Sequence, residues 1–294
     1  MSATESTRSG TGGEAPSHDG TIPERTAGAR HGGVRRSVDL IGAPLVAAAA
    51  LIALWYALIF LGDIRPFLVP PPHTIVQEFF GSAPSLLENG WVTMVEALGG
   101  LGLSIVGGVI LAVLIAEIPA FSKGMMPWLV MSQAVPKVAV APLFVIWFGF
   151  DLTPKIVVAF FIAFFPIVVS TASGLRSVSP EEIDLFRTMT QRRWPLYRYL
   201  KIPRALPQFF DGVKVGTTLA LIGAVVGEFV SAQEGLGYMV LIANRNLDTP
   251  LMFAVFAALS LIGILLFYGV VLVERLLIPW HAAARAGAQT TEEG

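Results

Sequence analysis

The chain has 294 residues, of which 54% are hydrophobic and only 14% charged, against roughly 25% charged in an ordinary soluble domain. That balance places it among integral membrane proteins, and a net charge of −1 makes no electrostatic case for nucleic acid. With no cysteine there are no disulfides, thiolate metal sites or thiol catalysis, and the four histidines, His18, His31, His73 and His281, are too scattered to suggest a metal cluster.

Residues 1–36 are rich in Gly, Ser, Thr and charge. Such a composition cannot bury enough apolar surface to offset the entropy of ordering, so a disordered cytoplasmic tail is expected. The apolar block after it is too long, and too far from the start, for a cleaved leader, and reads as a retained span. A helix needs about 20 residues to cross the hydrocarbon. Six blocks qualify: 41–61, 91–118, 126–148, 155–175, 209–230 and 251–272. Lipid offers the backbone no hydrogen-bond partners, so each should be a helix. The third contains Pro136, Pro142 and Lys137 and reads as a broken helix. The expected fold is therefore all-α and integral to the membrane. A transmembrane domain spans 37–281, and a short cytoplasmic tail, 282–294, follows.

Lys and Arg set the orientation. With the N-terminus in the cytoplasm, fifteen of the twenty basic residues fall inside, among them Arg35, Arg36, Lys123 and seven in the loop after the fourth span. Only Arg65, Lys155 and Arg245 fall outside, which predicts an N-in, C-in topology. The second and fifth spans carry small residues every fourth position: Gly100, Ser104, Gly108, Ala112 and Ala116, then Gly212, Gly216, Ala220 and Ala224. Such rows let helix backbones approach closely in lipid, either as packing inside one subunit or along a moving seam.

The loop after the fourth span is the chemical anomaly. Ser179-Pro180-Glu181-Glu182 is a helix start, with Ser as cap, Pro at the first helical position and Glu182 completing an S-x-x-E box. Ile183, Phe186 and Thr190 share one face of that helix. A turn is expected at residues 191–194, then a second short helix from Pro195 that Pro203 ends. The segment could lie on an anionic membrane surface, read DNA as a helix-turn-helix, or dock a cytosolic protein. Leu185 and Phe186 beside charges have the composition of an interface core with a polar rim, which favours docking.

This stretch resembles the EAA loop of binding-protein-dependent ABC transporter permeases, E-A-A, three residues, Gly, nine residues, I-x-L-P. Asp184-Leu185-Phe186 stand at the E-A-A positions, Thr190 at the Gly, and Leu200-Lys201-Ile202-Pro203 at the end. The spacing is intact. Asp keeps the charge on a shorter arm, Leu and Phe are bulkier than Ala, and Thr190 cannot supply an easy left-handed turn. "VAPLFVIWFGF" (140–150), "LIGAVVGEFV" (221–230) and "GLGYMVLIANRNLDTPLMFA" (235–254) are similar to nitrate/sulfonate/taurine-type permeases. "FRTMTQRRW" and "GVKVGTTLALIGAVVGEFV" lean toward relatives for thiamine-precursor pyrimidines and riboflavin.

The resemblance implies a type I importer permease fold and a division of labour. An extracytoplasmic binding protein delivers a small solute, two permease copies form the pathway in the plasma membrane, and two ATPase subunits dock on the cytoplasmic loops. ATP and Mg belong to the ATPase, and this chain has no G-x-x-x-x-G-K-[ST] loop of its own. No cofactor, metal or catalytic residue is expected here. Docking would fall to Asp184, Leu185, Phe186, Arg187, Thr190, Arg193 and Pro203.

Glu96, Lys137, Lys214 and Glu228 lie within or near apolar spans, where ionisable groups point to function. Gln133 and Lys137, in the broken span, and Glu228, before the Gly235-Leu236-Gly237 loop, are the candidates for the pathway or its gate. Glu96 and Lys214 could equally snorkel or pair. Trp147 and Phe148 fit an interfacial aromatic belt. The rival reading is a self-sufficient secondary transporter with a Glu/Lys relay, which would run on an ion gradient without an ATPase.

Overall fold

The computed structural model describes residues 32–279, apart from 64, 66, 67, 191 and 232, and for 32–45 it describes the backbone. The expected tails, 1–36 and 282–294, therefore lie outside the described residues except for 32–36. The chain divides into two units, Met1–Ala53 and Leu54–Gly294. Helix α1, Gly32–Leu61, begins in the first; apart from the length of α1, everything below concerns the second.

The regular structure is helical: α2 Pro72–Gly81, α3 Ala83–Glu117, α4 Pro119–Ala134, α5 Lys137–Phe148, α6 Leu152–Arg176, α7 Pro180–Met189, α8 Arg193–Leu196, one π turn Tyr197–Lys201, α9 Ile202–Ser231, α10 Leu236–Arg245 and α11 Thr249–Leu277. Among the described residues four helical segments are long and apolar enough to cross a membrane: α3, α6, the run Arg193–Ser231 and α11. Helices α4 and α5 meet that test only together, bent by 95°. The bend falls where the sequence put a proline. Val135 precedes Pro136 and is extended (φ −71°, ψ 123°), because the ring disfavours a helical residue before it. Pro142 does not interrupt the chain and sits inside α5. The described apolar part of the helix over 41–61, Val46–Leu61, is shorter than a span.

Three helices make the centre. Along α6, Ala159 approaches Gly100 of α3 on one side and Gly223 of α9 on the other, where an added methyl group would meet it at 2.4 and 2.6 Å. Further along, Ile167 faces Gly108 and Gly216 in the same way. Helices α3 and α6 thus run parallel, and α9 runs antiparallel to α6 on its other side. Gly100, Ser104, Gly108 and Ala112 are buried, as are Gly212, Gly216, Ala220 and Ala224. The small-residue rows are the packing seams of one subunit, since only small side chains let the backbones come this close. Ser104 Oγ lies 2.8 Å from the Gly100 carbonyl and 3.0 Å from that of Phe160, joining α3 to α6.

Two lysines within the bundle form ion pairs, Lys155 with Glu96 and Lys214 with two acids. Lys214 contacts Asp211 at 2.9 Å and Glu274 of α11 at 2.8 Å. Arg176 donates to the Ile115 carbonyl at 2.5 Å and to Ser122 Oγ at 2.6 Å. Lys155, the first residue of the expected fourth span and counted on its outer side, is buried at 6% exposure on α6.

Candidate functional site

At one end of the bundle the sequence builds α7 as expected. Ser179 Oγ accepts from the Glu182 amide at 3.2 Å, and the Glu182 carboxylate accepts from the Ser179 amide at 3.1 Å. This reciprocal box satisfies two amides that a helix start leaves free. The helix stops at Thr190, which is extended (φ −157°, ψ 134°). No left-handed residue is needed at Thr190, so a threonine in the glycine position is unstrained. Its Oγ1 instead accepts from the Arg192 amide at 3.3 Å.

The second helix differs from the expectation in both bounds. It starts at Arg193, so Trp194 and Pro195 are already helical, and Pro203 does not end it. The chain passes through the π turn Tyr197–Lys201 straight into α9, with Ile202 N–H reaching back to the Tyr197 carbonyl. The reason is geometric. A proline breaks an α-helix by clashing with the carbonyl four residues back and by lacking a donor. A π turn just before it widens the helix and shifts that register.

The α7 faces are well separated. Ile183, Phe186 and Thr190 are half-buried, while Leu185 and Met189 are 68% and 79% exposed. Asp184 and Arg187 are exposed and 3.4 Å apart. Arg204, near the start of α9, pairs with Glu182 and ties the two helices together. Between α7 and the α8–π run is a cavity of about 610 Å³ lined by Ile183, Arg187, Thr190, Arg192, Arg193 and Lys201, among others. Lys201 is neutralised by Glu117 at 2.6 Å. Pro203 is half-buried and is not among the residues that line this cavity.

The opposite end carries a second polar group. Glu228 is fully buried on α9, which continues past it to Ser231. Its Oε1 accepts from Thr93 Oγ1 of α3 at 2.6 Å, and its Oε2 accepts from the Gly237 amide. Thr93 in turn accepts from the Leu236 amide at 2.9 Å, and Asn89 Oδ1 accepts from Gly235 N at 2.7 Å. The Gly235-Leu236-Gly237 segment, expected as a loop, is the N-terminus of α10. Its free amides are satisfied by Glu228, Thr93 and Asn89. Gly235 has φ 109°, and a methyl group there would meet the Glu228 carboxylate at 2.2 Å, so glycine is required twice over. Beside Glu228 is Glu96, fully buried and paired with Lys155 at 2.8 Å.

The three pathway candidates do not form one site. Gln133 is exposed near the end of α4, and Lys137 begins α5 at the bend. Lys137 lines an apolar cavity of about 400 Å³ with Phe144, Trp147 and Phe161, to which Glu228 does not contribute. The rival relay fares no better, because Glu96 and Glu228 are held by partners at the α10 end while Lys137 stands apart. Sequence reading missed Thr93, Asn89 and the Glu96–Lys155 pair. The only signal for the pair was two opposite charges inside apolar spans, 59 positions apart.

Residues 104–280 match the family model described as the binding-protein-dependent transport system inner membrane component. The chain is 40% identical to the riboflavin transport system permease protein RibX of Chloroflexus aurantiacus, over 83% of this chain and 91% of that one. It is 38% identical to the formylaminopyrimidine transport permease protein ThiX of Halalkalibacterium halodurans, over 74% and 87%. It is 28% identical to the taurine transport system permease protein TauC of Escherichia coli, over 79% and 87%. A chain from the MetNI methionine ABC transporter, solved in inward-facing conformations, superposes with a TM-score of 0.57 over 67% of this chain and 97% of its own at 16% identity, which shows a shared type I importer permease fold. With its apolar helices and its close helix packing, the chain belongs to the binding-protein-dependent transport system inner membrane components, the membrane-embedded permeases of ABC transporters.

Proposed function

We propose that this permease is one of two like copies in an ATP-driven importer with six spans per copy and both termini in the cytoplasm. Its small solute is an anion of the sulfonate, nitrate or taurine kind or a heterocycle of the pyrimidine or riboflavin kind. An extracytoplasmic binding protein delivers it to the end carrying α10, and two ATPase subunits, which hold ATP and Mg, dock at the end carrying α7. The tails 1–36 and 282–294 lie outside the transmembrane domain. The observation that carries the reading is α7 itself. It is a capped helix with Leu185 and Met189 presented to solvent, beside exposed Asp184 and Arg187. Exposed apolar residues ringed by charge are what a docking partner buries.

Within that reading Arg193 and Thr190 shape the cavity behind α7, and Pro203 sits at the joint where the docking helices become a span. The continuous run from Arg193 to Ser231 lets a displacement of the docking end reach α9 as a rigid body. The reading is tested by purifying the chain in mild detergent with its candidate ATPase and reconstituting both with the binding protein. The expected result is a complex with two copies of each and uptake that requires ATP. Uptake driven by an ion gradient through the permease alone would overturn it.

A further inference from the structure

The cavity of about 610 Å³ behind α7 carries an excess of positive charge. Arg187, Arg192, Arg193 and Lys201 line it, and Glu117 is the one acid in that lining. Glu117 is already matched by Lys201 at 2.6 Å. Arg187 meets Asp184 at 3.4 Å, an exposed pair that water screens. Arg192 and Arg193 enter no ion pair among the described residues. Three arginines thus line one concavity, and two of them have no anion. Guanidinium recognises phosphate through its planar fork of donors. The Thr190 hydroxyl, which accepts from the Arg192 amide at 3.3 Å, keeps its proton to donate.

The level of the cavity indicates what carries the phosphate. Helix α6 ends at Arg176, whose guanidinium reaches the Ile115 carbonyl, and α3 ends two residues further on at Glu117. Both apolar runs therefore stop beside the Glu117–Lys201 pair, and both members of that pair line the cavity. Trp194 and Tyr199, each 67% exposed, stand on the α8–π run. Large amphipathic rings of this kind belong at the headgroup level of a bilayer.

We propose that this cavity holds the phosphate of an anionic phospholipid whose acyl chains lie in the leaflet at the α7 end. A basic recess at the mouth of a helix bundle is the setting in which such headgroups are bound. Arg187 comes from α7, and Arg192 and Arg193 from the start of the run into α9, so one phosphate bridges the two sides of the joint. It also relieves the repulsion among the three cations. Leu185 and Met189 take no part in the lining, so a protein docked on their side of α7 leaves the lipid in place.

The test equilibrates the full chain in mild detergent with phosphatidylglycerol or phosphatidylcholine and counts retained lipid by native mass spectrometry. Retention of phosphatidylglycerol and loss of phosphatidylcholine are expected. Arg192→Gln and Arg193→Gln combined should weaken retention about tenfold or more, since two near-surface cationic contacts are lost. Arg187→Gln, on the opposite wall, should weaken it as well. Arg198→Gln should leave it unchanged, because Arg198 is exposed on the same run but outside the lining. All four arginines are exposed, so none of these changes threatens the fold. Equal retention of the two lipids overturns the proposal. So does equal weakening by Arg198→Gln and by the double variant, which reduces the effect to general surface charge. Displacement of the lipid by millimolar inorganic phosphate or glycerol phosphate assigns the cavity to a soluble ligand instead. A double variant that sheds the ATPase yet keeps its lipid gives these arginines to the partner, which is equally fatal to the proposal.

Discussion

Gly223 of α9 faces Ala159 of α6 so closely that a methyl group on Gly223 would lie 2.6 Å from the Ala159 Cα. The obstacle is backbone, which cannot rotate away as a side chain would. Gly223→Val should therefore force the two central helices apart, at a cost of about 1–3 kcal/mol for overpacking. The expected outcome is a lower thermal midpoint in detergent and a smaller monodisperse yield. Gly102→Ala is the control, because nothing lies within 4 Å of its position. Equal behaviour of the two variants would show that the α6–α9 seam is looser than this spacing.

Glu228 holds the start of α10 through the Gly237 amide and Thr93. Glu228→Leu removes both acceptors and leaves the buried Gly237 amide unpaired, worth about 1–3 kcal/mol, while the Thr93 hydroxyl keeps the Asn89 carbonyl at 3.2 Å. Hydrogen–deuterium exchange over 235–240 should rise by an order of magnitude or more, while the α3–α6 seam keeps its protection. Unchanged exchange there would mean that Glu228 does not anchor α10.

Leu185 and Phe186 are adjacent, yet they separate docking from folding. Leu185 is 68% exposed and Phe186 half-buried. Leu185→Asp should detach the ATPase, since losing an interface anchor commonly costs about 2 kcal/mol or more, while the permease still inserts and purifies normally. Phe186→Asp should instead loosen α7 itself, visible as faster proteolysis between 180 and 190. An ATPase that stays bound to the Leu185→Asp permease would move the docking surface elsewhere.

The Ser179 cap offers a milder perturbation of the same joint. Ser179→Ala removes the acceptor for the Glu182 amide and should cost the helix about 1 kcal/mol. Amide exchange in the first turn of α7 should rise several-fold, and ATP-dependent uptake should fall without loss of the complex. Ser179→Asp, which keeps an acceptor at the cap, should restore both. Failure of the aspartate to rescue would assign the serine a role other than capping.

The sequence by itself determined the membrane class, the positions of four long apolar helices, the capped start of α7 and the family. These are properties of local pattern. Run length decides whether a helix can cross lipid, and Ser179, Pro180 and Glu182 find their partners within one turn. It also pointed to the break at Pro136, because a proline restricts its immediate predecessor whatever surrounds it. Only tertiary structure decided the rest. The small-residue rows needed α6 between α3 and α9 before they could be read as internal seams. Pro203 was a helix stop by local rule, yet a π turn ending two residues upstream carried the helix through. Glu228 and Gly237 became partners only when α10 folded against α9, and Glu96 met Lys155 only when α3 lay along α6. Pairings between distant segments leave no periodicity in the chain. They are set by which helices pack together, and a buried charge takes whichever partner that packing brings within reach.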